Sequence, residues 1–293
     1  MGDYDILYSP VMKKLHGKRT VMKLTREEFQ RYIYSYNDDE TFYKTLYLQE
    51  KEHPETFHEY CLTLDRKKIY EHRLYVPELQ TEAWYPYMKE TDLFHDINGN
   101  IVLSKHYRYT PVFPHEHEFF EILCLYDGTA HTTIQGIEHT LHTGDICIIP
   151  PHTTHSVGIF DDSVAFNILV RSSTFQSTFF QSLTADSALT QFFAHVLYRK
   201  TMGNYLIFHS GNDAQIHDMM ENIYIEYLGH AKYSCTFLNS MLVMFWAMLL
   251  RFHENDIESI LTKNSTGKSV TEILNYLNCN YQSVTLRDAA RHF

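Results

Sequence analysis

Paired cysteines are missing from this chain. Cys61, Cys124, Cys147, Cys235 and Cys279 are odd in number and widely spaced, with no C-x-x-C pair. That excludes a disulfide scaffold and reads as thiols kept in a reducing compartment, the cytoplasm being the expected one. Basic charge is scarce as well: 25 Lys and Arg stand against 36 Asp and Glu, a formal net charge of −11. A chain of that sign has no overall attraction for nucleic acid or an anionic membrane, so any DNA contact must come from a local module. Long apolar runs are also absent. The most apolar stretch, 241–250, has ten residues before Arg251, where a membrane span needs about 20, so it reads as a buried helix and no membrane partner is expected. The opening MGDYDILYSPVMKKL lacks the charged-then-apolar order of a secretion signal. Gly267, Lys268 and Ser269 lack the leading glycine and preceding strand of a phosphate-binding loop.

What is present is enough apolar material, 44% of 293 residues, for a real core and about two domains. Thr25 and Glu28 form a capping-box pattern ahead of apolar residues near helical spacing, which predicts a mostly helical region over 1–97 with no assigned role. The character changes at the turn signal Asn98, Gly99, Asn100. Residues 98–170 then break into seven short β-type runs, IVLSKHYRY, FEILCLY, TAHTTIQ, IEHTLH, ICIIP, HSVGIF and VAFNILV, separated by Gly-, Asp- and Pro-containing turns. Such spacing indicates an antiparallel sandwich or barrel. This stretch carries two basic residues against eight acidic ones, a poor surface for DNA. Beyond Arg171 the periodicity becomes helical, with helices expected near 175–200, 213–229 and 234–254. The last is apolar almost all round, so it must be covered by the core or by a second copy of the chain; the segment 171–261 is read as the dimerising one and a homodimer is expected. Polar residues 262–269, TKNSTGKS, make the best linker.

The sharpest chemical pattern is His115-x-His117-x-x-x-Glu121, followed by Gly128 and then by Gly144, Asp145, Pro150 and His155. On a strand, His115, His117 and Glu121 share parity and face one side, and a barrel could bring His155 opposite them. Three imidazoles and a carboxylate could bind a transition metal. They could equally serve a pocket without metal, for which Tyr107, Tyr109, Phe119 and His131 are candidate wall residues.

This arrangement resembles the two motifs of the cupin superfamily, whose metal-binding members use the positions of His115, His117, Glu121 and His155 as ligands. It departs from the usual second motif at His152, where glycine is common, and at Ile159, where asparagine is common. The same pattern is similar to that of the arabinose-regulator (AraC) family of transcription regulators, where many such barrels are understood to bind small organic effectors without a metal. The resemblance implies a small-molecule effector, a sugar being one class that aromatic walls suit, with no cofactor in that reading and a metal in the other.

The C-terminal stretch SVTEILNYLNCNYQSVTLRDAARHF places Ile273 and Leu277 on one helical face, and Leu286, Ala289, Ala290 and Phe293 at core spacing after a cap at Thr285. It resembles the opening of the first helix-turn-helix of the AraC family, with Ile273, Tyr276, Leu277, Asn280 and Tyr281 matching its first part. In that family both recognition helices follow, and bases are read through them, so DNA is expected as a partner only of the complete module. The overall expectation is an α+β chain: a cupin-type effector barrel at 98–170, flanking helices, and over 270–293 the start of a helix-turn-helix, acting as the sensing and dimerising part of an AraC-type regulator and not as an enzyme. The alternative is a metal-dependent cupin enzyme, a dioxygenase or sugar isomerase.

Overall fold

The computed structural model describes residues 24–80, 87–94, 99–175, 205–229 and 231–259, together with residues 276, 285, 287 and 288. Four helices open the described chain: α1 (Arg26–Tyr34), α2 (Asp38–Glu52), α3 (Phe57–Thr63) and α4 (Arg66–His72). The Thr25–Glu28 capping box forms as read from the sequence, with Glu28 N donating to Thr25 Oγ1 at 3.2 Å and Thr25 N to Glu28 Oε2 at 2.8 Å. A second box starts α2, where Glu40 N donates to Asn37 Oδ1 and Asn37 N to Glu40 Oε2.

A short strand β1 (Tyr87–Met88) and helix α5 (Glu90–Leu93) lead to the strands β2 (Ile101–Lys105), β3 (Glu116–His117), β4 (Phe120–Asp127), β5 (Thr129–Ile134), β6 (Ile137–His142), β7 (Asp145–Ile149), β8 (His155–Gly158) and β9 (Val164–Val170). After them come β10 (Leu206–His209), helices α6 (Ala214–Gly229) and α7 (Ser234–His253), and β11 (Ile257–Ser259). A six-stranded sheet in the order β11-β10-β7-β4-β9-β2 faces a three-stranded sheet, β6-β5-β8, with antiparallel pairing throughout both. This is the expected α+β, cupin-like arrangement of antiparallel sheets with flanking helices.

Three strands lie outside the stretch expected to hold them, the two-residue β1 before it and β10 and β11 after it. β10 pairs with β7, Ile207 opposite Cys147, and β11 pairs with β10, so the sheet draws on the segment 171–261, read from the sequence as helical, at places between and after the helices expected near 175–200, 213–229 and 234–254. The run Tyr205, Leu206, Ile207, Phe208 is short and apolar, a pattern that periodicity cannot distinguish from a buried helical turn. The helix expected at 175–200, the linker 262–269 and the helix-turn-helix core residues Ile273, Leu277, Leu286, Ala289, Ala290 and Phe293 lie outside the described residues. Thr285 is described, and its hydroxyl accepts from Asp288 N at 3.2 Å, a cap of the kind expected there.

Strand alternation gives the large sheet two apolar faces. One, with Phe120, Ile122, Cys124, Ile146, Phe166 and Ile168, is covered by α1, α6 and α7. The other, with Leu123, Leu125, Cys147, Ile149, Ala165 and Ile207, turns into the barrel against Ala130, Ile134 and Leu141. α7 buries Leu238, Leu242, Phe245, Trp246 and Leu249, while Phe237, Met244 and Phe252 remain exposed. The segment Ser234–Asp256 is the one helical stretch among the described residues long and apolar enough to cross a membrane. Its buried stripe is what a helix packed on a sheet requires.

Candidate functional site

The interior of the barrel changes character along its strands. At one end it is mainly aliphatic; at the other the same parity places Glu121, His115, His117, His155, Ser104 and Asn167. His115 and His155 are paired across the barrel by two backbone hydrogen bonds, His115 N to His155 O at 2.9 Å and His155 N to His115 O at 3.0 Å. Their ring centroids are 4.1 Å apart. Glu121 reaches them from β4: its Oε2 lies 3.3 Å from His117 Nε2 and 3.5 Å from His155 Nε2. The four residues that spacing singled out therefore do meet. His117 stacks on Phe119, with centroids 4.4 Å apart.

Burial alone would raise the Glu121 carboxyl, but the facing imidazoles of His117 and His155 outweigh it and hold the group well below the usual carboxylate range. Burial pushes His115 and His117 below the ordinary imidazole value, helped by the neighbouring His155. Two details suit a metal. His115 Nδ1 faces the Phe113 carbonyl at 3.3 Å and His155 Nδ1 the Thr153 carbonyl at 2.9 Å, which leaves each Nε2 as the free ligand nitrogen. Ligand atoms of His115, Glu121 and His155 lie within 4.8 Å of one another. The donor set thus fits a divalent transition ion.

Beside this cluster opens a cavity of about 150 Å³, with His115, Glu121, Phe119 and Tyr107 in its wall. Of the other expected wall residues, Tyr109 packs instead among Tyr36 and Tyr47 of the helical segment, with centroids at 6.5 and 5.4 Å. His131 is exposed, because on β5 it is Ala130, Thr132 and Ile134 that turn inward and His131 has the opposite parity. His117 and His155 contact Glu121 without lining the cavity.

Sequence reasoning missed much of the polar wall. Ser104 and Asn167 stand opposite each other across β2 and β9, and His106 follows two residues after Ser104. Ser104 Oγ, His106 Nε2 and Asn167 Oδ1 are buried without a hydrogen-bond partner, and all three residues line the cavity. Burial lowers His106 below the ordinary imidazole value. A polar residue within an otherwise apolar strand was the only available signal. The buried carboxylate of Glu40, from α2, was also missed. It accepts from Lys105 Nζ at 2.8 Å and Arg108 Nε at 2.8 Å, and these cations outweigh burial and lower it. Burial in turn brings Lys105 down to about 8, against the pull of Glu40.

The motif glycines are explained by shape. Gly144 has φ +87°, and a Cβ there would fall 1.7 Å from the Gly211 carbonyl oxygen; Gly128 has φ +86° and abuts Ser163. His152, standing where the cupin motif commonly has glycine, adopts φ +58° and stacks on Tyr87 with centroids 6.0 Å apart.

No curated protein matches the chain. Among solved structures, the chain is similar to KdgF from Halomonas sp. (23% identity, 24% of this chain and 69% of that one, TM-score 0.23). It is also similar to a cupin protein from Bacteroides fragilis (22% identity, 26% and 69%, TM-score 0.22). Apo ToxT from Vibrio cholerae aligns over more of the chain (11% identity, 66% and 69%, TM-score 0.38). The region built of the barrel strands, β10 and most of α6, residues 99–227, matches the family described as the AraC-like ligand binding domain.

Proposed function

We propose that the chain is the sensing part of an AraC-type transcription regulator, in which the cavity takes up a small organic effector. The observation that carries this reading is the set of buried, partnerless polar atoms on Ser104, His106 and Asn167, which line the cavity together with aromatic and apolar residues such as Tyr107, Phe113, Phe119 and Leu169. Leaving polar groups buried and unpaired costs about 1–3 kcal/mol each, which a ligand that hydrogen-bonds to them would recover. The volume is that of a cavity able to hold a single six-membered ring.

In this reading the exposed stripe of Phe237, Met244 and Phe252 on α7 is the dimer surface. Residues 270–293 lead into the DNA-binding module, and the protein works in the cytoplasm without catalysing a reaction. Effector binding changes the output only insofar as the ligand prefers one arrangement of the dimer. The test is a thermal-shift screen of small metabolites against the chain and its Asn167→Leu variant. A binder present at about 100 times its Kd adds about 2.7 kcal/mol of stability, and the shift should vanish in the variant. A folded chain that no metabolite stabilises would refute the proposal.

The ligand geometry of His115, Glu121 and His155 favours a second reading, a metal-dependent cupin enzyme. Those three residues would hold a divalent ion with His117 beside them, and the ion would supply Lewis-acid activation of an oxygen ligand. Inductively coupled plasma mass spectrometry separates the readings: near-stoichiometric metal lost on His115→Ala/His155→Ala substitution supports the enzyme, and a metal-free folded chain removes it.

A further inference from the structure

The segment 253–259, which ends α7 and forms β11, is fastened to the rest of the structure by little apolar surface. β11 has three residues at the edge of the large sheet, Ile257 opposite Phe208, Glu258 opposite Ile207 and Ser259 opposite Leu206. Ile257 packs on the core while only partly buried. The polar fastenings are histidines set against carboxylates.

His209 on β10 has a carboxylate at each ring nitrogen: Nδ1 lies 3.1 Å from Asp145 Oδ1 on β7, and Nε2 lies 3.5 Å from Glu258 Oε2 on β11. His253 is placed in the same way, with Nε2 3.0 Å from Asp213 Oδ2 ahead of α6 and Nδ1 3.4 Å from Asp256 Oδ2 in the turn before β11. A neutral imidazole carries one N–H and can donate to one of two such partners; only the imidazolium donates to both. The other oxygen of Glu258 lies 3.5 Å from His139 Nδ1 on β6, whose Nε2 is 2.6 Å from the Tyr205 hydroxyl. Asp145 also has the His142 ring at 3.9 Å. Among the described residues, the lysines and arginines that form ion pairs do so with other carboxylates, and none with Asp145, Asp213, Asp256 or Glu258. The positive charge facing these four groups is that of imidazoles, the side chains whose charge changes between pH 5 and 8.

We propose that the segment 253–259 is a proton-dependent clasp: with His209 and His253 as imidazolium it is fastened to the sheet and to the start of α6, and as pH rises it loosens. The sign follows from the hydrogen-bond count. Fastening that needs imidazolium is complete at acidic pH and is lost as the ring proton leaves. A metal ion is the weaker controlling species, because among the described residues the ligand atoms that converge within 4.8 Å belong to His115, Glu121 and His155. In the regulator proposed above, the clasp sets how firmly the chain after β11 is tied to the barrel; the clasp itself does not rest on that reading.

Amide hydrogen exchange by mass spectrometry on the full chain, at pH 5.5 and 7.5 with a chelator and corrected for intrinsic exchange, tests this. Exposed ion pairs are individually weak, so peptides covering 253–259 should be about three- to tenfold better protected at pH 5.5. Peptides of β4 are the reference, since a change in the stability of the whole fold would move them in step. His209→Gln/His253→Gln should bring the two pH values together, because glutamine donates a hydrogen bond at either pH. Glu258→Gln, at a side chain 51% exposed, should shrink the difference and decides the matter if the double variant fails to fold. Equal protection of the unaltered chain at the two pH values, greater protection at pH 7.5, or a change shared with β4 would each overturn the inference. So would a difference that survives undiminished in the folded variants.

Discussion

The two ends of the barrel interior are built by the same strands and could hardly differ more. On β4, Leu123 and Leu125 join an aliphatic cluster, while Glu121, two residues earlier and on the same face, joins three histidines. On β9, Ala165 belongs to the first end and Asn167 to the second. The aliphatic end gains from burial, at roughly 25 cal/mol per Å² of apolar surface. The polar end carries desolvated groups that the protein itself leaves unpaired. A strand that switches from one to the other within two residues separates the part of the barrel that holds it folded from the part open to chemistry.

The largest way to disturb this contrast lies just outside it. Glu40→Ala would leave Lys105 and Arg108 buried with no carboxylate, and we expect a loss of about 3–5 kcal/mol in denaturant unfolding. A loss below about 1 kcal/mol would mean that water reaches those cations. Next comes Leu123→Ala, which opens a void in the aliphatic end; about 2–5 kcal/mol should be lost, with ligand affinity unchanged. If affinity falls along with stability, the two ends are not separable.

The smallest effect is a dependence on pH. His106 has a lowered value in the folded chain, so below the ordinary imidazole value of 6.5 the unfolded chain binds the proton and the folded one does not. Stability should therefore fall as pH drops through 6.5. Glu40 is also lowered, from 4.5, so a further loss should follow below that value as the unfolded carboxyl protonates first. His115 and His117, lowered by burial in the same way, add to the first of these two steps, so His106→Gln should make it shallower without removing it; urea midpoints measured between pH 5 and 8 would show it, and an unaltered slope would count against His106 as a contributor.

Much of the barrel was legible because alternation and turn residues are local. All seven runs contain a strand, and the Thr25 cap forms as written. The histidine set was legible for the same reason: parity and a two-residue offset fix His115 and His117 on one face, and Glu121 keeps that face across the break between β3 and β4. What escaped is non-local. Glu40 meets Lys105 and Arg108 across 65 and 68 residues. His72 and Arg73 reach the cavity through the packing of a helical segment that periodicity could propose but not place. His131 was misplaced because its strand's parity was not counted, although Ala130, Thr132 and Ile134 display it.

The order of the large sheet has a consequence for any message leaving the cavity. Ser104 and Asn167 lie on β2 and β9, at one edge, whereas β11, the last described strand before residue 260, forms the other. Five strand spacings of about 4.8 Å separate β2 from β11, roughly 24 Å measured along the curved sheet. A disturbance at the first edge cannot travel to the second along the backbone of any one strand; it must pass sideways, rung by rung, through β4, β7 and β10, or over the helices that cover them.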